Sequence, residues 1–115
     1  MPRPVATEDV FRAVADPTRR AALEALMRQR ELPVGALADE LGVGLPMLSR
    51  HLAVLRAAGL VTEQRSGRQR LYRLRPEPLR ELYDWAAIFD EFWTERIGGL
   101  RAYLDRQAAD ETEGK

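Results

Sequence analysis

The sequence predicts a mainly α-helical fold with one small β-hairpin, in the order α-α-α-α-β-β-α. Apolar residues recur at three- and four-residue steps through most of the chain, as they do on the buried face of an amphipathic helix. Residues 60–74 differ, because β-branched and aromatic residues there flank the turn-forming sequence "RSGR". With 115 residues and 45% hydrophobic content, the chain has the usual size of a single domain.

Three helices are predicted in the first 42 residues, each from a start or stop signal. The pair Asp16-Pro17 is an N-cap followed by proline in the first turn, and it begins the second helix. Gly42 closes the third helix, as glycine commonly does just past a helix end. The predicted spans are 7–15 with Thr7 as the cap, 17 to about 30, and 34–41.

A fourth helix is predicted over about 45–58, after a tight turn at "GVG". Gly44 is a workable cap and Pro46 fits the first turn. The third and fourth helices together form a helix-turn-helix, whose second helix enters the major groove in proteins that use the motif to bind DNA. The predicted buried side of this second helix consists of Leu48, Leu52 and Leu55.

The hairpin is predicted as two strands, 60–65 and 69–74, which makes the domain a winged helix-turn-helix. Arg65 and Arg68 lie at the tip of this wing, and Arg70 lies just beyond it. From there they can reach the DNA backbone or an adjacent minor groove, and the alternative is a purely solvated role.

A long last helix is predicted over 78–106, with Gly98-Gly99 as a point where it kinks or splits. It has more apolar surface than one small core covers, so we expect part of that surface to meet a partner. Four of its aromatic residues allow a small-molecule pocket for an unknown inducer, although an aromatic stripe is more often core or interface. Residues 107–115 are small, charged and aperiodic, which predicts a disordered tail after a domain of residues 1–106. The predicted apolar seam is Leu82, Ala86, Phe89, Trp93, Ile97, Leu100 and Leu104, with Trp85, Ile88 and Phe92 beside it.

The charge is distributed unevenly although its sum is zero. Residues 1–42 hold six arginines and seven acids, residues 43–75 hold seven arginines and one acid, Glu63, and residues 76–115 hold five basic and ten acidic residues. The three segments therefore carry −1, +6 and −5. A positive middle segment is typical of a module that faces DNA, and a solvated basic surface is the alternative.

Several classes of site are excluded by composition. The chain has no cysteine and one histidine, which excludes disulfides, thiolate metal sites and cysteine nucleophiles, and we expect neither metal nor cofactor. Ser49 and His51 are about 200° apart on a helix and cannot form a nucleophile-base pair within one chain, so we expect no enzyme. No apolar run of 18 residues and no signal architecture occur, which predicts a cytoplasmic protein that does not associate with a membrane.

Three stretches make the chain resemble the ArsR-type winged-helix repressors of bacteria. They are "VADPTRRAALEAL" (14–26), "LADELGVGLPMLSRHLAVLRAAGLV" (37–61) and "GRQRLYRL" (67–74), in the order in which that family has them. The resemblance implies a homodimeric repressor, dimerised through its first and last helices, that binds an inverted repeat in double-stranded DNA. The interface residues that it implies here are Phe11, Leu82, Trp85, Phe89, Phe92, Trp93, Ile97 and Leu100.

Two departures from the family pattern affect what the resemblance implies. The family's metal sensors use cysteine pairs or clusters of histidine and carboxylate on the last helix, and this chain lacks both, so metal sensing is not implied. The family's DNA-reading helix usually opens with a Ser or Thr cap and a polar residue, whereas this one opens with Gly44 and Leu45. We therefore expect one base contact to be missing, with Leu45 able to pack on a thymine methyl group instead.

The residues expected to contact DNA lie between the buried leucines of the fourth helix and on the wing. Arg50 is the candidate for a guanine, with phosphate as its alternative partner. We expect Ser49 to bond a phosphate or a base edge, His51 to contact phosphate unless it is a packed helix residue, and Arg56, with Arg19 and Arg20, to assist at the backbone. The alternative function is a winged-helix protein-interaction module, favoured by exposed Leu45 and Met47. The predicted DNA-contacting residues are Leu45, Met47, Ser49, Arg50, His51, Arg56, Arg65, Arg68 and Arg70.

Overall fold

The computed structural model describes residues 8–113, apart from the side chains of residues 94–97 and 110–113. The chain forms two compact units, divided between Leu82 and Tyr83, where one domain was expected over residues 1–106. The elements are α1 (Val10–Ala13), α2 (Pro17–Gln29), β1 (Glu31–Pro33), α3 (Val34–Leu41), α4 (Leu45–Ala57), β2 (Val61–Ser66), β3 (Gln69–Leu74), α5 (Leu79–Ala87) and α6 (Asp90–Glu113).

The predicted fold class is confirmed, with one strand added to the hairpin. The sheet is antiparallel with the order β1-β3-β2, and Leu32 of β1 pairs with Tyr72 of β3. Three residues, "ELP", are too few to show the alternating pattern that identifies a strand in a sequence. Pairing with β3, about 40 positions away, is what makes this segment a strand.

Helix α2 begins at the predicted cap. The carboxylate of Asp16 accepts hydrogen bonds from the backbone N–H groups of Thr18 (2.8 Å) and Arg19 (3.2 Å). Burial of Asp16 opposes its ionised form, but these two N–H groups, with the charge of Arg19, outweigh that effect and lower the pKa of Asp16. The capping bonds therefore favour the ionised carboxylate at the start of α2.

The prediction for α1 was wrong about where the helix begins and about its length. The helix has four residues, and its cap is Asp9, whose carboxylate accepts from the N–H of Phe11 at 2.8 Å. Thr7, the predicted cap, lies outside the described residues. Both residues are good N-caps, and the sequence alone does not decide between two of them two positions apart.

The core of the first unit holds α4 in place. Leu48, Leu52 and Leu55 are almost completely buried, as their spacing predicts. They join a cluster that includes Leu26 of α2 and Leu37 of α3. Burying a leucine stabilises a fold by about 1.5–3 kcal/mol, so this row holds one face of α4 firmly against the core.

The predicted last helix is divided, and the division does not lie at Gly98-Gly99. Helix α5 ends at Ala87, and the N–H groups of Ile88 and Phe89 bond the carbonyls of Trp85 and Ala86 three positions back. A β-branched and an aromatic residue are followed there by Asp90, which favours a new helix start. Gly98 and Gly99 instead lie inside α6.

Helix α6 continues to Glu113, past residue 107 where a disordered tail was expected. An aperiodic sequence indicates that no face is buried, and residues 101–109 are indeed exposed. Alanine and glutamate nevertheless have high helix propensity, so lack of periodicity does not prevent a helix. Among the described residues, no helix combines the length and the apolar character needed to cross a bilayer.

Candidate nucleic-acid interface

The face of α4 opposite its buried leucines is open to solvent. Arg50 is exposed, Ser49 is partly buried, and the first turn presents Leu45 and Met47 with 50% and 43% of their surfaces exposed. Gly44 is the N-cap of α4 and provides no side-chain hydrogen bond to the first turn. This face therefore offers one guanidinium and two apolar side chains to a ligand.

Ion pairing divides the seven arginines of residues 43–75 into two groups. Four are paired with carboxylates: Arg56 and Arg70 with Glu63, Arg73 with Glu31, and Arg75 with Glu77. Within the part of the chain that the structure describes, no hydrogen bond or ion pair engages the other three side chains. These three are Arg50 on the outward face of α4 and Arg65 and Arg68 at the wing tip.

Glu63 joins α4 to the wing. Its Oε2 lies 2.7 Å from Nη1 of Arg56, and its Oε1 lies 3.2 Å from Nε of Arg70. Burial, together with the charge of Glu63 and a hydrogen bond to its carboxylate, raises the pKa of Tyr72. Arg56 and Arg70, two of the predicted DNA contacts, thus already have an acceptor inside the protein.

His51 is partly buried and bonded to a side chain that the sequence did not connect with it. Its Nδ1 lies 3.2 Å from Nη1 of Arg19, which also donates from Nε to the Ala13 carbonyl (2.6 Å) and from Nη2 to the Arg12 carbonyl (3.2 Å). A guanidinium has only donors, so Nδ1 must accept, and the ring proton is on Nε2. With Nδ1 as the acceptor, the N–H on Nε2 of His51 is left to donate.

The wing tip brings two arginines side by side. Arg65 of β2 is directly opposite Arg70 of β3, and the turn beyond them contains Gly67 with a φ of +63°. Like charges opposite each other weaken a hairpin, and Glu63 compensates by pairing with Arg70. Residues 68–70 also line an open cleft of about 460 Å³ with the first turn of α3.

The residues expected at a dimer interface fall into two groups. Phe11 and Leu82 pack partly against the core of their own chain. On α5 and α6, the rings of Trp85 and Phe89 contact edge to face, and so do those of Phe92 and Trp93. The side chain of Ile97 lies outside the described residues. Trp85, Phe89, Phe92, Trp93 and Leu100 are 45–57% exposed.

The described residues contain no group of three or more histidine, cysteine, aspartate or glutamate side chains that could hold a metal ion. The side chains that the structure does bring together are hydrogen-bonding and ion-pairing groups. Two of them, Glu63 and Arg19, were not recognised from the sequence as linking residues. Glu63 had one signal, since it is the single acid among the seven arginines of residues 43–75.

Comparison with known proteins agrees with this geometry. Residues 16–63 match the family model described as "Bacterial regulatory protein, arsR family". The chain is 39% identical over 87% of its length to the HTH-type transcriptional regulator Rv2034 of Mycobacterium tuberculosis, covering 90% of that protein. It is 36% identical over 85% of its length to the arsenical resistance operon repressor of Escherichia coli, covering 84% of it.

Solved structures show the same similarity. A crystal structure of a possible transcriptional regulator for arsenical resistance matches 89% of this chain and 95% of its own, with 39% identity and a TM-score of 0.62. The repressor BigR of Xylella fastidiosa matches 70% of this chain and 83% of its own, with 30% identity and a TM-score of 0.57.

The Arg19 contacts generate a stability prediction. We expect Arg19→Lys to lower the free energy of unfolding by about 1–2 kcal/mol, because an ammonium cannot span the three acceptors that the guanidinium bonds. Arg20→Lys is the matched control, since Arg20 is exposed and bonds the carbonyls of Val14 and Ala15. Urea denaturation measures both variants, and equal losses would mean that the link from Arg19 to His51 adds no stability.

Proposed function

Because this chain belongs to the ArsR family of bacterial transcriptional regulators, we propose that it is a homodimeric repressor of an inverted-repeat operator. The family consists of DNA-binding regulators and not of enzymes. The observation that carries the proposal is the position of the three arginines of residues 43–75 that have no partner among the described residues. They lie on the helix and the wing that winged-helix proteins direct at DNA.

In this proposal α4 lies in the major groove. Arg50 donates two hydrogen bonds to a guanine, because a planar guanidinium matches the O6 and N7 acceptors of that base. Leu45 and Met47 pack on thymine methyl groups, and Ser49 bonds a phosphate or a base edge. Their exposure on the outward face of α4 supports these roles.

The wing and the C-terminal part of α4 bind the DNA backbone. Arg65 and Arg68 reach phosphates or the adjacent minor groove. The negative charge of the DNA attracts them there, whatever the base sequence. Arg56 and Arg70 contact phosphates after leaving Glu63. His51 donates its remaining N–H, on Nε2, to a phosphate.

The dimer forms through the first helix and the aromatic surface of α5 and α6. Half-exposed aromatic residues on consecutive turns form an apolar surface of the kind that interfaces cover. The rings of Trp85 and Phe89 contact edge to face, and so do those of Phe92 and Trp93, which favours an interface over a pocket for a small-molecule inducer. Such a repressor acts on bacterial DNA and therefore in the cytoplasm.

A second candidate function is a protein-interaction module without sequence-specific DNA binding. The exposure of Leu45 and Met47 favours it, because apolar side chains at the start of a DNA-reading helix add no hydrogen bonds. The two functions differ in salt dependence. A repressor neutralises several phosphates, and its affinity for duplex DNA falls steeply with salt, whereas an interaction module has no such affinity.

Arg50→Ala tests the proposed reading of DNA. We expect it to weaken binding to the operator by about 1–3 kcal/mol and to relax the preference at one base position. Arg73→Ala is the matched control, because Arg73 is bonded to Glu31 on the edge strand and has no proposed role at DNA. Fluorescence anisotropy with operator and single-base variants measures both proteins. An equal loss on every variant would make Arg50 a phosphate contact.

Trp93→Glu tests the proposed dimer. A charge in the middle of the apolar surface must lose its water when the subunits meet, so we expect monomers in light scattering. Arg101→Glu is the control, because it adds an acid to an exposed position of the same helix outside that surface. A Trp93→Glu protein that remains dimeric would contradict the proposed interface.

A further inference from the structure

Glu63 has an unusual place in the molecule. It is the single acidic residue among residues 43–75, and two of the seven arginines of that segment bond it. Its side chain is only 16% exposed, whereas those of Arg56 and Arg70 are 60% and 48% exposed. The carboxylate is therefore held within the protein, and both cations remain accessible from solvent.

A carboxylate and a DNA phosphate are alternative acceptors for the same guanidinium groups. Arg56 and Arg70 cannot direct the bonded N–H groups at a phosphate without giving up those bonds to Glu63. Ion pairs of exposed arginines contribute little to stability, so this exchange is readily reversible. After the exchange the Glu63 carboxylate stays near the phosphates and repels them.

We propose that Glu63 is an internal competitor of the DNA backbone, and that it sets how strongly this protein binds DNA of any sequence. The inference rests on the proposed function, because it requires that the surface of α4 and the wing meets DNA. Contacts with phosphates carry no sequence information, so Glu63 weakens binding to every duplex. Binding then depends more on the contacts of α4 with bases and less on contacts with phosphates.

Pairing within the sheet provides a matched control. Glu63 is directly opposite Tyr72, whereas Glu31 is directly opposite Arg73, one position further along β3. Neighbouring positions of a strand lie on opposite faces of a sheet, so these two glutamates do too. Glu31 also bonds one arginine, with a distance of 2.9 Å to Nε of Arg73. Glu31→Gln and Glu63→Gln therefore change the net charge equally and release arginines on different faces.

The experiment is a titration of a labelled 20-base-pair duplex of random sequence with the full-length protein at several salt concentrations. We expect Glu63→Gln to bind about three- to tenfold more tightly than the unmodified protein at low salt, with a salt slope steeper by about one to two. The increase in affinity for Glu31→Gln should be less than half of the increase for Glu63→Gln. Circular dichroism and thermal melting verify that both variants are folded.

Each other outcome overturns the inference in a recognisable way. Weaker binding by Glu63→Gln would mean that Glu63 positions Arg56 and Arg70 for DNA. Unchanged binding would mean that Arg56 and Arg70 do not exchange this side chain for a phosphate. An equal gain in both variants would reduce the effect to net charge. If the unmodified protein does not bind the duplex even at low salt, the proposed function itself fails.

A second measurement needs no variant. In ¹⁵N spectra of arginine side chains, the Nε–H signal of Arg70, bonded to Glu63, should move when the same duplex is added. The Nε–H signal of Arg73, bonded to Glu31, should stay in place and serves as the internal control. An Arg70 signal that is unmoved in the saturated complex would overturn the inference.

Discussion

Burial of one leucine row determines how α4 lies in this molecule, and the rest of the candidate interface depends on it. Leu48, Leu52 and Leu55 are each at most 1% exposed. Rotating α4 would expose them, at about 1.5–3 kcal/mol for each leucine. Arg50 lies about 200° around the helix from Leu48, so burial of the row directs Arg50 at solvent without any bond of its own. The outward face is thus a consequence of the core.

Ion pairing then decides which cations on this frame are available to a ligand. The net charge of the chain is zero, but residues 43–75 carry +6. Four of the seven arginines in this segment have carboxylate partners. Arg73 and Arg75 pair with acids outside the segment, whereas Arg56 and Arg70 share Glu63. The guanidinium groups of Arg50 on α4 and of Arg65 and Arg68 at the wing tip have no partner among the described residues. The number of arginine side chains that can reach a phosphate or a base, rather than the total charge of the segment, therefore connects this fold to DNA binding.

Features set by neighbouring residues could be predicted from the sequence, and features set by distant contacts could not. The bounds of α3 and α4 follow from Gly42, Gly44 and apolar spacing, all within a few residues. The strand β1 depends on β3, and the bonds of Arg19 to His51 and of Arg73 to Glu31 join residues 32 and 42 positions apart. No local pattern encodes such partners. The break after Ala87 was missed because the apolar seam runs through it uninterrupted, whereas propensity and a new helix start divide the helix.

The central claim is that a dimer of this chain reads DNA with the outward face of α4, and selection from random duplexes tests it most directly. The purified protein is mixed with a pool of random duplex DNA, and the retained molecules are sequenced. We expect an inverted repeat whose half-sites are about one helical turn apart, as two symmetry-related α4 helices require. A pool without an enriched sequence would contradict the claim and make Leu45 and Met47 the contact surface for a protein partner.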